Sequence, residues 1–373
     1  KRQPIFPDRS CLEAMCQIKS ELLHISDLKD QPFCIALGSG ASASVGLPTW
    51  HRLLQNICHS YFYTWSMKLP KNPSLLFHPP KDVSITLTNS YDMKFMFNLP
   101  DNFLENTEIW ENGRKFSEEE TQNLAYEFRE SFNKVWQLQD DFIKLILSGD
   151  PTITAQMIKT KIRKKDWDYL LRKSIYGAYD GIPYVLEISE LYEELITLIS
   201  AKRIRTIINY NYDDTFYHAL KERGVKFKNI YSNSQKICQN NIYYPHGYIP
   251  MKGGVVTDVV LCENDYQTQS FHQDLWENNI QIANLISHSC IFIGLSLNDS
   301  NIRRILNLCC SAARYKHYAF LPSSGDDEAS IMYDSLVDSD LYRLGIRVIR
   351  YPSTNNFEKL PDLLNYINRM QSK

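Results

Sequence analysis

Four short polar clusters each follow an apolar run, and each carries residue types suited to phosphate, ribose or water. The first is "GSGASA", Gly38 to Ala43, after the apolar Cys34–Leu37. It fits the loose pattern Gly-x-Gly-x-x-Gly/Ala of a strand–turn–helix that receives a dinucleotide. Gly38 is expected at positive φ, Gly40 is expected to leave room for a pyrophosphate, and Ala43 lets the helix pack closely. The amides at the helix start, around Ser39, Ala41 and Ser42, then face the anion. The same spacing also suits a plain strand–helix turn.

The second cluster is "NYNYDD", Asn209 to Asp214, after "TII". At the carboxyl end of a strand, Asn211 can hold a ribose hydroxyl or a water, and Asp213 can brace it. A competing role is capping, with Asp213 or Asp214 at the start of a helix over "TFYHAL". The third is "YYPHGYI", where His246 titrates near neutral pH and Gly247 permits a turn that exposes the ring. The fourth is "IFIGLSLND", which brings Gly294, Ser296 and Asp299 to another strand end. Gly294 and Ser296 can donate backbone and hydroxyl groups to ribose or phosphate oxygens, while Asn298 or Asp299 can cap the next helix.

These clusters need a frame. Residues 1–30 read as a helical segment, from Cys11, Leu12, Met15, Ile18, Leu22 and Leu23. A strand and glycine turn follow, then a helix over about 49–63. The stretch 66–100 holds five prolines and reads as an irregular connector with at most a short hairpin. Residues 102–202 carry long helical patterns. They include "FRESFNKVWQLQDDFIKLIL" and, after a Gly181-Ile182-Pro183 turn, "YVLEISELYEELITLISAK". Beyond 202, "TII", "KNIYSN", "NIYYPHG", "VVTDVVLCEND", "SCIFIGLSL", "HYAFLP" and "IRVIRYP" read as strands alternating with helices. The last helix runs to about Met370. That alternation predicts an α/β fold with an open, doubly wound, mostly parallel sheet and a large helical insertion over 66–202. The sheet domain is then 31–65 with 203–373.

Bulk composition excludes several classes. Of 373 residues, 43% are hydrophobic and 23% charged, as in ordinary globular chains, and the net charge of -2 gives no overall basic excess for nucleic acid. Nine cysteines without a Cys-x-x-Cys pair argue against a disulfide framework and a zinc ribbon, and suggest a reducing compartment. No apolar run reaches the ~18 residues of a membrane span, and no secretory signal pattern opens the chain. A cytoplasmic protein without membrane contact is the expectation. No Asp or Glu lies between Gln55 and Pro80, where a dehydrogenase would place its ribose acid, and no Gly-Lys-Ser/Thr follows the glycine turn.

Taken in order, the motifs resemble the sirtuin-like family of NAD-binding proteins. They are Gly38-Ser39-Gly40-Ala41-Ser42, Gly46-Leu47-Pro48-Thr49-Trp50, Asn211-Tyr212-Asp213, His246-Gly247 and Gly294-Leu295-Ser296. "LCENDY" before a helix and Asp299-x-x-Ile302-Arg303 resemble the bacterial defence branch. The resemblance covers about 30–60 and 200–352. Protein-deacylating sirtuins carry a four-cysteine zinc module and usually Asp-Phe-Arg after the Gly-x-Pro. This chain lacks both and has Thr49-Trp50 instead.

The resemblance implies a Rossmann-like NAD+ hydrolase without zinc, acting against phage by NAD depletion. It implies Asn211, His246 and Asp213 as catalytic and Gly38–Ser42 as the diphosphate grip. Pro48, Thr49, Trp50, Gly294, Ser296 and Asp299 would line the nicotinamide and ribose ends. It further implies a homo-oligomer and a partner such as an ATPase. Two other readings stay open. One is a regulatory module that binds NAD or ADP-ribose without turnover. The other is a nucleic-acid-associated subunit using "KTKIRKKDWDYLLRK", with seven basic and two acidic residues.

Overall fold

Phe33–Leu37 forms strand β1, and all five residues are buried. A continuous apolar run of this kind suits a central parallel strand covered on both faces. In the computed structural model the described residues are 32–66, 140–177, 184–352 and 359–371, except 255 and 273. Short pieces at 22, 76–78, 108–111, 114–115, 117, 119 and 137–138 are also described. The expected N-terminal helical segment, the Gly181–Pro183 turn and most of 66–136 lie outside these residues.

After β1 come helices α1 (Ser39–Ala43) and α2 (Trp50–Ser66). Strands β2 (Leu76–His78), β3 (Glu108–Glu111) and β4 (Arg114–Lys115) follow, then helices α3 (Pro151–Lys159), α4 (Lys164–Tyr176) and α5 (Glu190–Lys202). Next are β5 (Thr206–Asn209), α6 (Thr215–Glu222), β6 (Lys228–Ile230), β7 (Asn241–Tyr243), α7 (Glu263–Phe271) and α8 (Trp276–Ser287). The chain closes with β8 (Ser289–Ile293), α9 (Ser300–Cys309), β9 (His317–Pro322), α10 (Glu328–Arg343), β10 (Ile346–Tyr351) and α11 (Lys359–Gln371).

The described residues group into two compact units, 1–53 with 155–373, and 54–154. Within the second, β2, β3 and β4 form a small antiparallel sheet, and the Phe62 and Phe142 rings meet at 5.7 Å. The first holds a seven-stranded sheet in the order β10-β9-β8-β1-β5-β7-β6, with every neighbouring pair parallel. Helices α4 and α5, expected in the inserted block, group with this sheet.

Strand alternation sends Cys34 and Ala36 to one face, where Phe292, Ile302, Ile305 and Leu306 close around them. Ile35, Leu37 and Ile207 go to the other face and are equally buried. Each such aliphatic or aromatic side chain contributes about 1.5–3 kcal/mol of burial. Helices α5 and α11 pack together, tied by Asn368 Nδ2 to Glu194 Oε2 at 2.7 Å. The fold is therefore the expected α/β sheet.

One expectation fails locally, and one helix had not been read from the sequence. "VVTDVVLCEND" forms no strand in its described part. Val259, Val260, Leu261 and Cys262 are buried in succession, so their apolar character fills space instead of marking one sheet face. Isolated bonds tie this stretch down in place of a strand ladder, such as Val260 N–H to His246 O at 2.8 Å and Tyr212 OH to Val260 O at 2.7 Å. Helix α10 also lacked a sequence signal. Among its residues only Asp334 and Leu341 are buried, so it has no strong apolar stripe.

His317 at the start of β9 is buried, and its Nδ1 accepts the Cys290 N–H at 3.2 Å. Burial pushes its imidazole down to about 4. The unfolded chain therefore takes up a proton here between about pH 6.5 and 4 that the folded chain refuses. Stability should fall through that window as pH is lowered, by at most about 1.4 kcal/mol per pH unit from this site. His317→Asn keeps an acceptor for Cys290 and should flatten the slope in urea denaturation series. An unchanged slope would rule this origin out.

Candidate active site

The sheet order reverses around β1. From β1 the chain first builds β5, β6 and β7 on one side, then returns to lay β8 on the other. Ligands of such sheets bind outside the carboxyl ends of the strands at this reversal. The glycine turn after β1 and the Gly294 turn after β8 both lie there, since Leu37 pairs with Ile293.

The two turns are locked together by backbone. Gly38 N–H donates to Ile293 O and Gly40 N–H to Gly294 O, both at 2.9 Å, and Ala41 N–H donates to Gly38 O. These three amides are engaged within the chain, so an anion at the turn would have to be met by other groups of it. Gly38 departs from expectation, with φ −120° and ψ −178°. Its need for glycine is space, because a Cβ there would lie 2.4 Å from Gly294 O. A Cβ on Gly40 would meet Gly294 Cα at 2.9 Å, so the room at Gly40 is filled by Gly294. The positive φ falls on Gly294, at 68°, where a Cβ would also come within 2.3 Å of Ala41 N. Leu297 follows at φ 57°, a left-handed conformation costly for leucine, while buried.

Asn211 reaches from the end of β5 into the same turn. Its Nδ2 donates to Gly38 O at 2.8 Å and to Ser42 Oγ at 2.9 Å. Ser42 Oγ in turn donates to Asp213 Oδ2 at 2.7 Å. Asp213 Oδ1 accepts the Thr215 N–H at 3.1 Å and the Thr215 hydroxyl, and Tyr192 contacts that hydroxyl at 2.9 Å. Asn209 steadies the segment, accepting Asn211 N–H and donating to Asp213 O. Burial pushes the Asp213 carboxyl up, and the bonds from Thr215 and Ser42 partly offset it. Asp214 occupies the cap position of α6 without a side-chain cap bond. Its carboxylate accepts from Tyr248 OH at 2.9 Å and Met251 N–H at 2.8 Å, and His218 lies 3.3 Å away. Burial raises it, but His218, Met251 and Tyr248 outweigh that and hold it below its ordinary value.

His246 is buried, not exposed by its turn as expected. The reason is Gly247 at φ 101°, which folds the loop against 258–260; a Cβ there would be 2.6 Å from Asp258 O. The imidazole stands edge-on between Tyr210 at 5.1 Å and Tyr266 at 6.1 Å. Its buried Nε2 has no hydrogen-bond partner. Burial lowers its pKa below 6.5, with Asp299 opposing.

Both Asp299 oxygens are engaged. Oδ1 caps α9 through Asn301 N–H and Ile302 N–H, both at 2.9 Å, and Oδ2 accepts from Tyr266 OH at 2.9 Å. Ser296 and Thr49 are exposed, and Pro48, Trp50 and Ser39 are half-buried. Thr215, Tyr192 and Tyr266 join the cluster without having been expected as site residues, whereas Ser42 of the first motif meets Asn211 and Asp213. Tyr266 lay within "LCENDY", but its contact with Asp299 spans 33 positions.

The basic run of α3 and α4 is largely engaged within its own unit. Lys159 pairs with Asp265 at 2.9 Å and Lys164 with Asp258 at 2.8 Å. Arg172 donates to Gly253 O and Gly254 O, and Arg163 pairs with Asp166. Among the described residues no group of three His, Cys, Asp or Glu could hold a metal ion, and no helix is long and apolar enough to cross a membrane.

The Gly38–Gly294 lock should be intolerant of a methyl group. Gly294→Ala should lower stability by about 1–3 kcal/mol through overpacking. Gly46→Ala, also at positive φ but with nothing within 4 Å of its Cβ, should cost about 1 kcal/mol or less. Equal losses in denaturant titrations would disprove the lock.

A family model described as a SIR2-like domain matches residues 205–339. That span holds Asn211, Asp213, His246, Gly294, Ser296 and Asp299. The chain is also 26% identical over 187 residues to the NAD(+) hydrolase ThsA of Bacillus cereus (strain MSX-D12). The alignment covers 46% of this chain and 38% of ThsA, so the chain spans less than half the length of that curated relative. Over 205–339 this chain is thus similar to SIR2-like domains, the family its motifs resemble.

Proposed function

We propose that this chain is an NAD+ hydrolase that cleaves the nicotinamide–ribose bond. The observation that carries this reading is the Asn211–Ser42–Asp213 hydrogen-bonded unit at the sheet's reversal point, together with His246 on the neighbouring strand's loop. The family match and the likeness to an NAD(+) hydrolase support it.

In this mechanism the C–N bond breaks and its electron pair leaves with nicotinamide. Positive charge develops on the ribose, and a water oxygen bonds to the anomeric carbon. The water's proton passes to His246, and ADP-ribose is released. Asn211 gives both amide hydrogens to Gly38 and Ser42, which leaves Oδ1 to accept from a ribose hydroxyl or the water. Asp213 braces this amide through Ser42. The Gly38–Ser42 turn lies along the diphosphate, with Pro48, Thr49, Trp50, Gly294, Ser296 and Asp299 around the nicotinamide and ribose ends. Asp299 acts there through the cap and Tyr266, since both its oxygens are engaged.

By resemblance to the defence branch, the activity serves anti-phage defence through NAD depletion in the cytoplasm. It does so without zinc, as a homo-oligomer that works with a partner such as an ATPase. Engagement of the basic run by Asp265, Asp258 and Asp166 argues against the nucleic-acid reading.

Asn211→Ala and His246→Ala should each reduce nicotinamide release at least about a hundredfold. Wild-type rates in both would sink the assignment, and NAD binding without release by the wild-type chain would favour the regulatory-module reading. A base held below pH 6.5 stays active as pH falls to 6.5 and loses activity only below it. An acid limb centred above 6.5 would contradict the role of His246.

A further inference from the structure

A line of buried amides runs from helix α9 to the residue before His246. Arg304 donates to Asn301 Oδ1 at 2.6 Å and to Asn278 Oδ1 at 3.1 Å. Asn301 Nδ2 donates to Gln269 Oε1 at 2.7 Å. Gln269 Nε2 donates to Pro245 O at 2.8 Å. Gln269 is 4% exposed, Asn301 1% and Asn278 0%.

The direction of this relay is fixed at both ends. An arginine can only donate, so Asn301 must turn its oxygen to Arg304 and its NH2 to Gln269. Gln269 must then turn its oxygen to Asn301, which leaves its NH2 for the Pro245 carbonyl, an obligate acceptor. Neither amide can flip without placing like groups together. A second grip holds Gln269 from the backbone side, because Asn278 Nδ2 donates to Gln269 O at 2.9 Å.

Pro245 immediately precedes His246, and a proline has no N–H to anchor the loop itself. Beyond it, His246 O accepts Val260 N–H at 2.8 Å, and Gly247 N–H donates to Tyr244 O at 3.2 Å. We propose that Gln269 is a positioning residue for His246, oriented by Arg304 and Asn301 and acting through the Pro245 carbonyl. It fixes the imidazole between Tyr210 and Tyr266 without touching substrate. This inference rests on the assignment of His246 as base.

The test is a double-mutant cycle in the 373-residue chain, read as nicotinamide release. Gln269→Glu keeps the acceptor for Asn301 and removes the donor to Pro245. It should lower kcat about tenfold to a hundredfold with KM changed less than about threefold. Loosening the loop should re-expose the ring, so the acid limb of the pH–rate profile should move up toward about 6.5. In the His246→Ala background the same change should have no further effect on the residual rate, because both act through one group. Asn301→Asp, which removes the donor to Gln269, should act in the same direction and serves if Gln269→Glu fails to fold. Wild-type kcat and pH profile in a folded Gln269 or Asn301 variant, or full additivity with His246→Ala, would overturn the inference. Wild-type activity of His246→Ala itself would instead overturn the base assignment.

Discussion

The site depends on one close backbone contact, where the turn after β1 meets the turn after β8. Gly38, Gly40 and Gly294 have no Cβ to hold these turns apart, and two amides donate across the gap. The groups at the ends of β5 and β8 meet at that contact. Asn211 is oriented by Gly38 O, Ser42 sits one helical turn beyond, and Gly294 sets the path through Leu297 to the Asp299 cap. A side chain at any of the three glycines would move β8 relative to β1 and spread the carboxyl ends where a ligand would bind.

The polar groups under this contact sit where an unmatched bond would be costly. Asp213 is buried, yet accepts from Ser42 and from Thr215 twice. Asp214 is met by Tyr248, Met251 and His218. Satisfied networks of this kind specify one arrangement of neighbouring side chains. His246 is the contrast. Its ring is enclosed by two tyrosines, and its Nε2 is buried without a partner. It shares this feature with Trp50 Nε1 and His317 Nε2, so what sets His246 apart is its place beside the strand ends.

Glycine patterns drew attention to Gly38 and Gly40 for a reason the structure changes. A loose dinucleotide pattern reads them as room for a pyrophosphate, whereas the room is taken by Gly294 of the same chain. Both readings require glycine, so sequence alone could not separate them. Likewise, Gly247 was legible as a turn, but whether the turn exposes or buries His246 depends on residues 258–260, eleven or more positions away.

The sequence by itself determined the sheet's strands and the polar clusters at their ends. Runs such as "FCIAL", "CIFI" and "YAFL" are apolar without interruption, which marks parallel strands covered on both faces. It also marked Asn211, Asp213 and His246, because polar residues directly after such runs must lie at strand ends. Only the tertiary structure decided which clusters meet. The order β10-β9-β8-β1-β5-β7-β6 brings residue 38 against residue 294 and residue 42 against residue 213, contacts made across more than 170 positions. No local spacing encodes such contacts. They follow from which strands pair, and that is decided by packing the whole core at once.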